Sequence, residues 1–380
     1  MTKINASIPS PRDLQPAVRR PKTGSPKTVK AKTPGEQVCL GKTPKTSRRP
    51  QLRFKTDSFP YPVADPVKMM RVDEVRKEYG LTGKGVTVAV IDSGFNYPGE
   101  KPLVWKDFVE GKPEPYDEVG HGTHVAGDIK NIAPGADFIA LKTGDIMSDI
   151  PSCNIQALQW AMENREKYNI QVVNMSVGDK PEIGPLENGK RLSSPPYFFR
   201  KYNPVRDAVG QAVASGLTVV IAAGNSGPRK VTLDEPGDVP QALTVAAARH
   251  ETRVSQFSSR GPALNGETGP DLAAPGEGIP SWAAPGSPMA RRSPSPHPGI
   301  IINDGTSFST PLISGVAALM KEADMSLTPG EIKEILKATA VPMDPEFGGP
   351  EACGAGFVDA KAAVDEVMKR KKHRTETDHE

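Results

Sequence analysis

The sequence predicts an α/β protein, a doubly wound parallel sheet with helices on both faces, preceded by a disordered basic leader. Three observations predict it. Short β-branched runs such as Val86-Thr87-Val88-Ala89-Val90-Ile91 lack the polar alternation of a half-exposed strand, so they read as strands buried on both faces. Segments of helical spacing alternate with these runs through most of the chain, the pattern of parallel strands joined by crossover helices. A chain of 380 residues, 37% apolar and 24% charged, is long enough to bury one large core with appendages.

The leader comes first. From Met1 to about Pro62 the chain is rich in Pro, Lys, Thr and Ser, with Pro-Lys-Thr at 21–23, 26–28 and 44–46. Such composition cannot bury enough apolar surface to offset its conformational entropy. Residues 1–55 hold 14 Lys and Arg against Asp13 and Glu36, a net of +12, whereas the rest of the chain sums to −9. Residues 1–63 are therefore expected to be a solvated or removable leader, whose charge could also attract nucleic acid or an anionic surface. No apolar run reaches membrane-spanning length, and Met1 to Asp13 lacks the apolar stretch of a secretory signal. Cys39, Cys153 and Cys353 are odd in number and widely spaced, which fits a reducing compartment, and a cytoplasmic location is expected, with unconventional release as the alternative.

The folded body is expected over 64–368, with a basic, polar tail over 369–380. Val67 to Tyr79 has helical spacing and stops at Gly80. The first strand ends at Asp92-Ser93-Gly94, and an acid at the carboxyl end of a buried parallel strand lies where open α/β sheets place their sites; it equally suits a turn cap. His121 and His124 follow on a short helix. Two such histidines could bind a metal, but no Cys or carboxylate is read at matching spacing, and Asp92 offers His121 another partner. Strand 136–141, helix 155–168 and strand 170–176 come next, the last leaving at Val177-Gly178-Asp179. Residues 180–204 form a loop too long for a plain connector. Helix 205–215 and strand 217–223 lead to Gly224-Asn225, and another strand spans 242–247. Residues 274–298 read mostly as loop. Ser307 then opens an amphipathic helix with Leu312, Ile313, Val316, Leu319 and Met320 inward and Pro311 expected in its first turn; a serine there is either a nucleophile or a cap. Helices over 328–338 and 359–368 close the body.

Asp92, His121 and Ser307 occur in the chain order Asp, His, Ser. With the stretches Val88–Gly94, His121-Gly122-Thr123-His124-Val125-Ala126-Gly127, Val173–Gly178, Ala222–Gly227 and Gly305-Thr306-Ser307, the chain resembles the subtilisin-like serine proteases, the subtilases, from about Ala64 to Val367. The resemblance implies an endopeptidase acting on protein or peptide substrates through an acyl-enzyme. Ser307 would be the nucleophile, His121 its base and Asp92 the group that orients the imidazole. Asn225 and the Ser307 N–H would hold the oxyanion, with His124 structural. Ser176, Val177, Gly178, Ala223 and Gly224 would line the extended substrate. Of Asp234 and Glu235, in the stretch 231–245 that closes the primary pocket, one, Asp234 in preference to Glu235, would favour Lys or Arg before the scissile bond; a solvated loop acid is the other reading.

Two departures from the family are visible. Between Gly127 and Ala133 only Asp128-Ile129-Lys130-Asn131-Ile132 stand where many members carry a calcium loop, so no metal and no cofactor are expected, a weak calcium site elsewhere staying open. The leader is too polar for a folded pro-domain, and Phe59-Pro60-Tyr61-Pro62 is either linker or a short inhibitory segment across the cleft. A silent binding module and a surface or nucleic-acid binder acting through the leader are the alternatives. An α/β-hydrolase esterase is disfavoured, because Gly305-Thr306-Ser307-Phe308-Ser309 lacks the second glycine of the nucleophile elbow.

Overall fold

Thirteen strands and eleven α-helices are found among the residues that the computed structural model describes: 37–38, 63–145, 148–180, 203–264, 266–293, 295, 297–347 and 349–377. All belong to the unit Gly35–Glu380. The strands are Gln37–Val38 (β1), Thr87–Asp92 (β2), Val104–Asp107 (β3), Asp137–Lys142 (β4), Gly144–Asp145 (β5), Ser148–Asp149 (β6), Ile170–Met175 (β7), Thr218–Ala222 (β8), Leu243–His250 (β9), Arg253–Val254 (β10), Leu272–Pro275 (β11), Ile279–Trp282 (β12) and Ile300–Asn303 (β13). The helices are Pro66–Met69 (α1), Val72–Tyr79 (α2), His121–Ile132 (α3), Pro151–Glu163 (α4), Arg165–Tyr168 (α5), Pro204–Ala214 (α6), Pro288–Arg292 (α7), Thr306–Ala323 (α8), Pro329–Ala338 (α9), Pro350–Cys353 (α10) and Ala360–Thr377 (α11).

The main sheet runs β1-β3-β4-β2-β7-β8-β9-β10, with β11 beside β9. Its central strands are parallel, as the sequence predicts, and only β1 and β10 pair antiparallel at the edges. Every residue of β2 and β8 is buried. Alternation along β2 explains this: Val88 and Val90 pack with Val125, Ile129 and Ile132 of α3 and Leu312 and Val316 of α8, while Ala89 and Ile91 pack on the opposite face with Leu158 of α4 and Val209 of α6. Burying a Val, Ile or Leu side chain contributes about 1.5–3 kcal/mol, so both layers are held mainly by these contacts.

Several expectations need correction. The first helix is two, because Arg71 adopts a left-handed backbone (φ 59°) between α1 and α2. The Pro- and Gly-rich stretch 274–298 contains β12 and α7 as well as loop. Pro311 lies inside α8, not in its first turn, since the helix already begins at Thr306. The basic segment after residue 368 is no separate tail: α11 carries on to Thr377, where Lys371 donates to the Ala323 carbonyl (2.7 Å) and Arg374 pairs with Asp324, so cations meet the carbonyl end of α8. Within the expected leader only Gln37–Val38, paired with Val104 and Trp105 of β3, and Val63 are described; the remainder of 1–62, including Phe59–Pro62, and most of the 180–204 loop lie outside the described residues. No helix among the described residues is long and apolar enough to cross a membrane.

Candidate active site

Parallel strands deliver their carboxyl ends to one rim, and there a cleft of about 260 Å³ is lined by Asp92, Ser93, His121, Thr143, Gly144, Ser176, Val177, Gly178, Asp179, Ala222, Gly224, Asn225, Asp234, Thr306 and Ser307. Asp92 is the last residue of β2 and His121 the first of α3. His121 Nδ1 lies 2.8 Å from Asp92 Oδ1, and both side chains are 2% exposed. Asp92 is held by the chain around it: Oδ1 also accepts the Ser93 N–H (2.7 Å), and its carbonyl accepts the Thr143 N–H (3.0 Å). Burial opposes a charged imidazole, but the charge and hydrogen bond of Asp92 outweigh it and, with Asp117 and Asp128, hold the His121 pKa above the ordinary histidine value. His121 Nε2 is buried without a hydrogen-bond partner among the described residues.

Ser307, the second residue of α8, has an N–H that is unpartnered within the helix by its position. Its hydroxyl does not point to His121. It donates to the Ser176 carbonyl (3.0 Å), while the Ser176 hydroxyl donates to the Ser307 carbonyl (2.7 Å). That carbonyl is available because Pro311, four residues on, has no N–H to give it. Ser176 is fixed in turn by the Asn174 amide (3.0 Å), and Asn174 by the Ser314 hydroxyl (2.8 Å).

Asn225 is oriented by chemistry that leaves no choice of flip. Its Oδ1 accepts from both the N–H (3.0 Å) and the hydroxyl (3.1 Å) of Thr306, and an N–H can only donate, so the amide nitrogen is turned elsewhere, at the exposed lip of the cleft. Gly224 has φ 101°, and a Cβ there would stand 2.2 Å from Asp234 Oδ2; a Cβ on Gly178 would stand 3.4 Å from the Asp234 Cβ. The Asp234 carboxylate is thus pressed against Gly224, while Gly178 faces the Asp234 Cβ and the Glu235 carbonyl. Asp179 and Glu235 exchange both backbone hydrogen bonds (2.8 and 2.9 Å) beside it. Burial, with Asp179 adding to it against the pull of Lys180 and the Asn225 N–H, pushes Asp234 up to about 6. Its Oδ1 is buried and has no hydrogen-bond partner among the described residues.

Of the residues the sequence singles out, Ala223 stands apart. It packs behind the cleft with Leu233 and Ala263, and its backbone groups are taken by Val245 and Asp234. His124 has a carboxylate partner that the reading of the spacing missed: Asp128, one turn on, lies 2.9 Å away, both fully buried, and burial pushes the Asp128 pKa up against the pull of His124. Phe308 packs against both imidazoles, with ring centroids 5.4 Å from His121 and 4.2 Å from His124. The helix α3 runs through Asp128–Ile132 without a loop, and no cluster of three or more His, Cys, Asp or Glu among the described residues is placed to hold a metal ion. Asp117 and Thr306 were also missed, although an acid shortly before a helix start is a legible capping signal.

A hydroxyl at a helix mouth beside a carboxylate-bound imidazole, at the strand ends of a parallel sheet, is the arrangement of a serine hydrolase. The chain belongs to the subtilase family, whose model matches residues 83–370, and it is a serine endopeptidase. It is 34% identical over 322 residues to the serine protease AprX of Bacillus subtilis (strain 168), covering 76% of this chain and 68% of that protein. It is 32% identical over 296 residues to Subtilisin Savinase of Lederbergia lenta, covering 75% and 93%. Among solved structures, a cold adapted subtilisin-like serine proteinase superposes with a TM-score of 0.55 at 27% identity, covering 73% of this chain and 88% of that one.

Proposed function

We propose that Ser307 attacks the scissile carbonyl, that His121 takes its proton and later passes it to the leaving amine, and that Asp92 holds the imidazole in the tautomer that keeps Nε2 free. The observation that carries this reading is the buried 2.8 Å contact between His121 and Asp92 in the cleft that also holds Ser307. Turning the Ser307 hydroxyl away from the Ser176 carbonyl is then the first event of turnover, since apo enzymes commonly hold such bonds open. The Asn225 amide nitrogen and the Ser307 N–H take up the negative oxygen, and Ser176, Val177, Gly178 and Gly224 line an extended peptide.

The substrate class is a protein or peptide with Lys or Arg before the scissile bond, supported by the unpartnered Asp234 oxygen and the nearby Asp179 in the cleft. This chemistry asks for no cofactor. The odd cysteine count supports a cytoplasmic place of action, and the +12 charge of residues 1–55 supports an accessory attraction of the leader to anionic surfaces.

The test is hydrolysis of a fluorescent casein by the full chain, with a fluorophosphonate label on the nucleophile. Ser307→Ala is expected to lose label and turnover together, by on the order of 10⁶-fold in kcat, the figure established for the serine of a subtilisin. Unchanged labelling in Ser307→Ala rejects this residue as nucleophile.

A further inference from the structure

We propose that Asp117, which lies outside the cleft lining, is a positioning residue for the triad: one carboxylate ties the end of the strand that carries Asp92 to the first turn of the helix that carries His121. It accepts five hydrogen bonds. Oδ1 takes the Ser93 hydroxyl (2.9 Å) and the N–H groups of Val119 (3.2 Å) and Gly120 (2.8 Å); Oδ2 takes the Thr123 N–H (2.9 Å) and hydroxyl (2.6 Å). The Ser93 oxygen, held in this way, accepts the Gly122 N–H (2.9 Å). The opening donors of α3 are therefore met from outside the helix, which matters because its cap residue, Gly120, has no side chain to offer. Ser93 follows Asp92 directly, and Gly122 follows His121. The two bridged positions are the immediate chain neighbours of the acid and the imidazole, so a loosened bridge changes their relative placement before anything else.

The carboxylate is 3% exposed and saturated with donors, and its charge acts on the imidazole in the same direction as that of Asp92. The charged groups turned toward His121 are Asp92 from β2, Asp117 from the preceding loop and Asp128 from α3 itself. Lys142 of β4 stands behind Ser93 and is tied to Glu118 (2.9 Å). The elements packed on α3 bring Ser307 and Phe308 from α8 and Ser281 from β12, none of which titrates in the working range. Removing the Asp117 charge must then favour the neutral imidazole and move the acid limb of activity to lower pH.

The inference rests on the triad reading above, and one set of measurements separates the two. Full-length wild type, Asp117→Asn, Ser93→Ala and His121→Ala are assayed on a peptide amide across pH, with kcat expressed per fluorophosphonate-titrated site so that misfolded protein is not counted. Asp117→Asn is expected to lose about 10²-fold in kcat, as for an ångström-scale misplacement, with KM little changed and the acid limb shifted down. Ser93→Ala keeps the charge and cuts the bridge, so kcat falls while the limb stays. Wild-type kcat per titrated site in Asp117→Asn, or a loss with an unmoved acid limb, overturns the proposal. Should Asp117→Asn yield no folded protein, undiminished kcat in Ser93→Ala overturns it instead. A His121→Ala variant as active as wild type sinks the triad reading, not this inference alone.

Discussion

Replacing Asp234 with Asn is expected to abolish a preference for Lys or Arg before the scissile bond. The carboxylate stands against Gly224 in the cleft that Gly178 also lines, and under the proposed function it receives the side chain preceding the scissile bond. A cation about 4 Å from it gains roughly 4 kcal/mol at an effective dielectric near 20, and exchange with water reduces this to about 1.5–3 kcal/mol for a hydrogen bond to a charged group. With tenfold in rate for each 1.36 kcal/mol, kcat/KM for a Lys or Arg peptide anilide falls about 10- to 150-fold, while the Leu analogue holds its rate. Titration gives the same residue a second signature. Since Asp234 is pushed up to about 6, the Lys-to-Leu ratio of kcat/KM in wild type rises with pH through about 6; the protonation of His121 affects both substrates and divides out. Stability follows with its own sign. A carboxyl raised from 3.8 to about 6 keeps its proton in the native state after the unfolded chain has lost it, so stability falls as pH rises between those values, by about 3 kcal/mol. Asp234→Asn should therefore melt higher than wild type near pH 8 and no higher near pH 4. Equal Lys-to-Leu ratios in wild type and variant near pH 8, or a wild-type ratio flat from about pH 5 to 8, would refute the reasoning.

Asn225→Leu is expected to lower kcat about 10²- to 10³-fold with KM nearly constant, the magnitude known for the oxyanion asparagine of a subtilisin; steady-state kinetics on one anilide decide it. Gly315→Ala places a Cβ 2.6 Å from the Ile132 Cβ, so α8 must retreat from α3. Overpacking of this kind costs about 1–3 kcal/mol, read as a lower Tm, and kcat falls with it because these two helices carry Ser307 and His121.

Much of the fold was legible because its strands are buried on both faces: a run such as Val88 to Ile91 has one reading when every position must be apolar. The candidate site was legible where a chemically apt residue follows a strand or opens a helix, at Asp92, Asn225 and Ser307, which the structure brings to one cleft. What escaped depends on partners distant in sequence or on hydrogen-bond direction. Ala223 adjoins Gly224 in the chain yet packs in the small cluster with Leu233 and Ala263, partners that come later in the chain, after β8 has ended at Ala222. Asp117 reads as a loop acid until Ser93, 24 residues earlier, is seen to donate to it. The helical reach of Lys369 to Thr377 was hidden by charge, since these residues pair with acids on α9, on α11 and beyond the end of α8 and do not bury apolar surface. The hydroxyl of Ser307 turned to Ser176 follows from a rotamer, which composition does not encode.

Pro311 interrupts the ladder of α8 at the one carbonyl that belongs to Ser307, and a side chain of the neighbouring strand segment takes its place. Ser307, the proposed nucleophile, is in consequence moored to Ser176 as well as to its own helix. Each of the two serines donates its hydroxyl to the other's carbonyl, so the mouth of α8 and the segment after β7 are tied at a carbonyl that the helix alone leaves open.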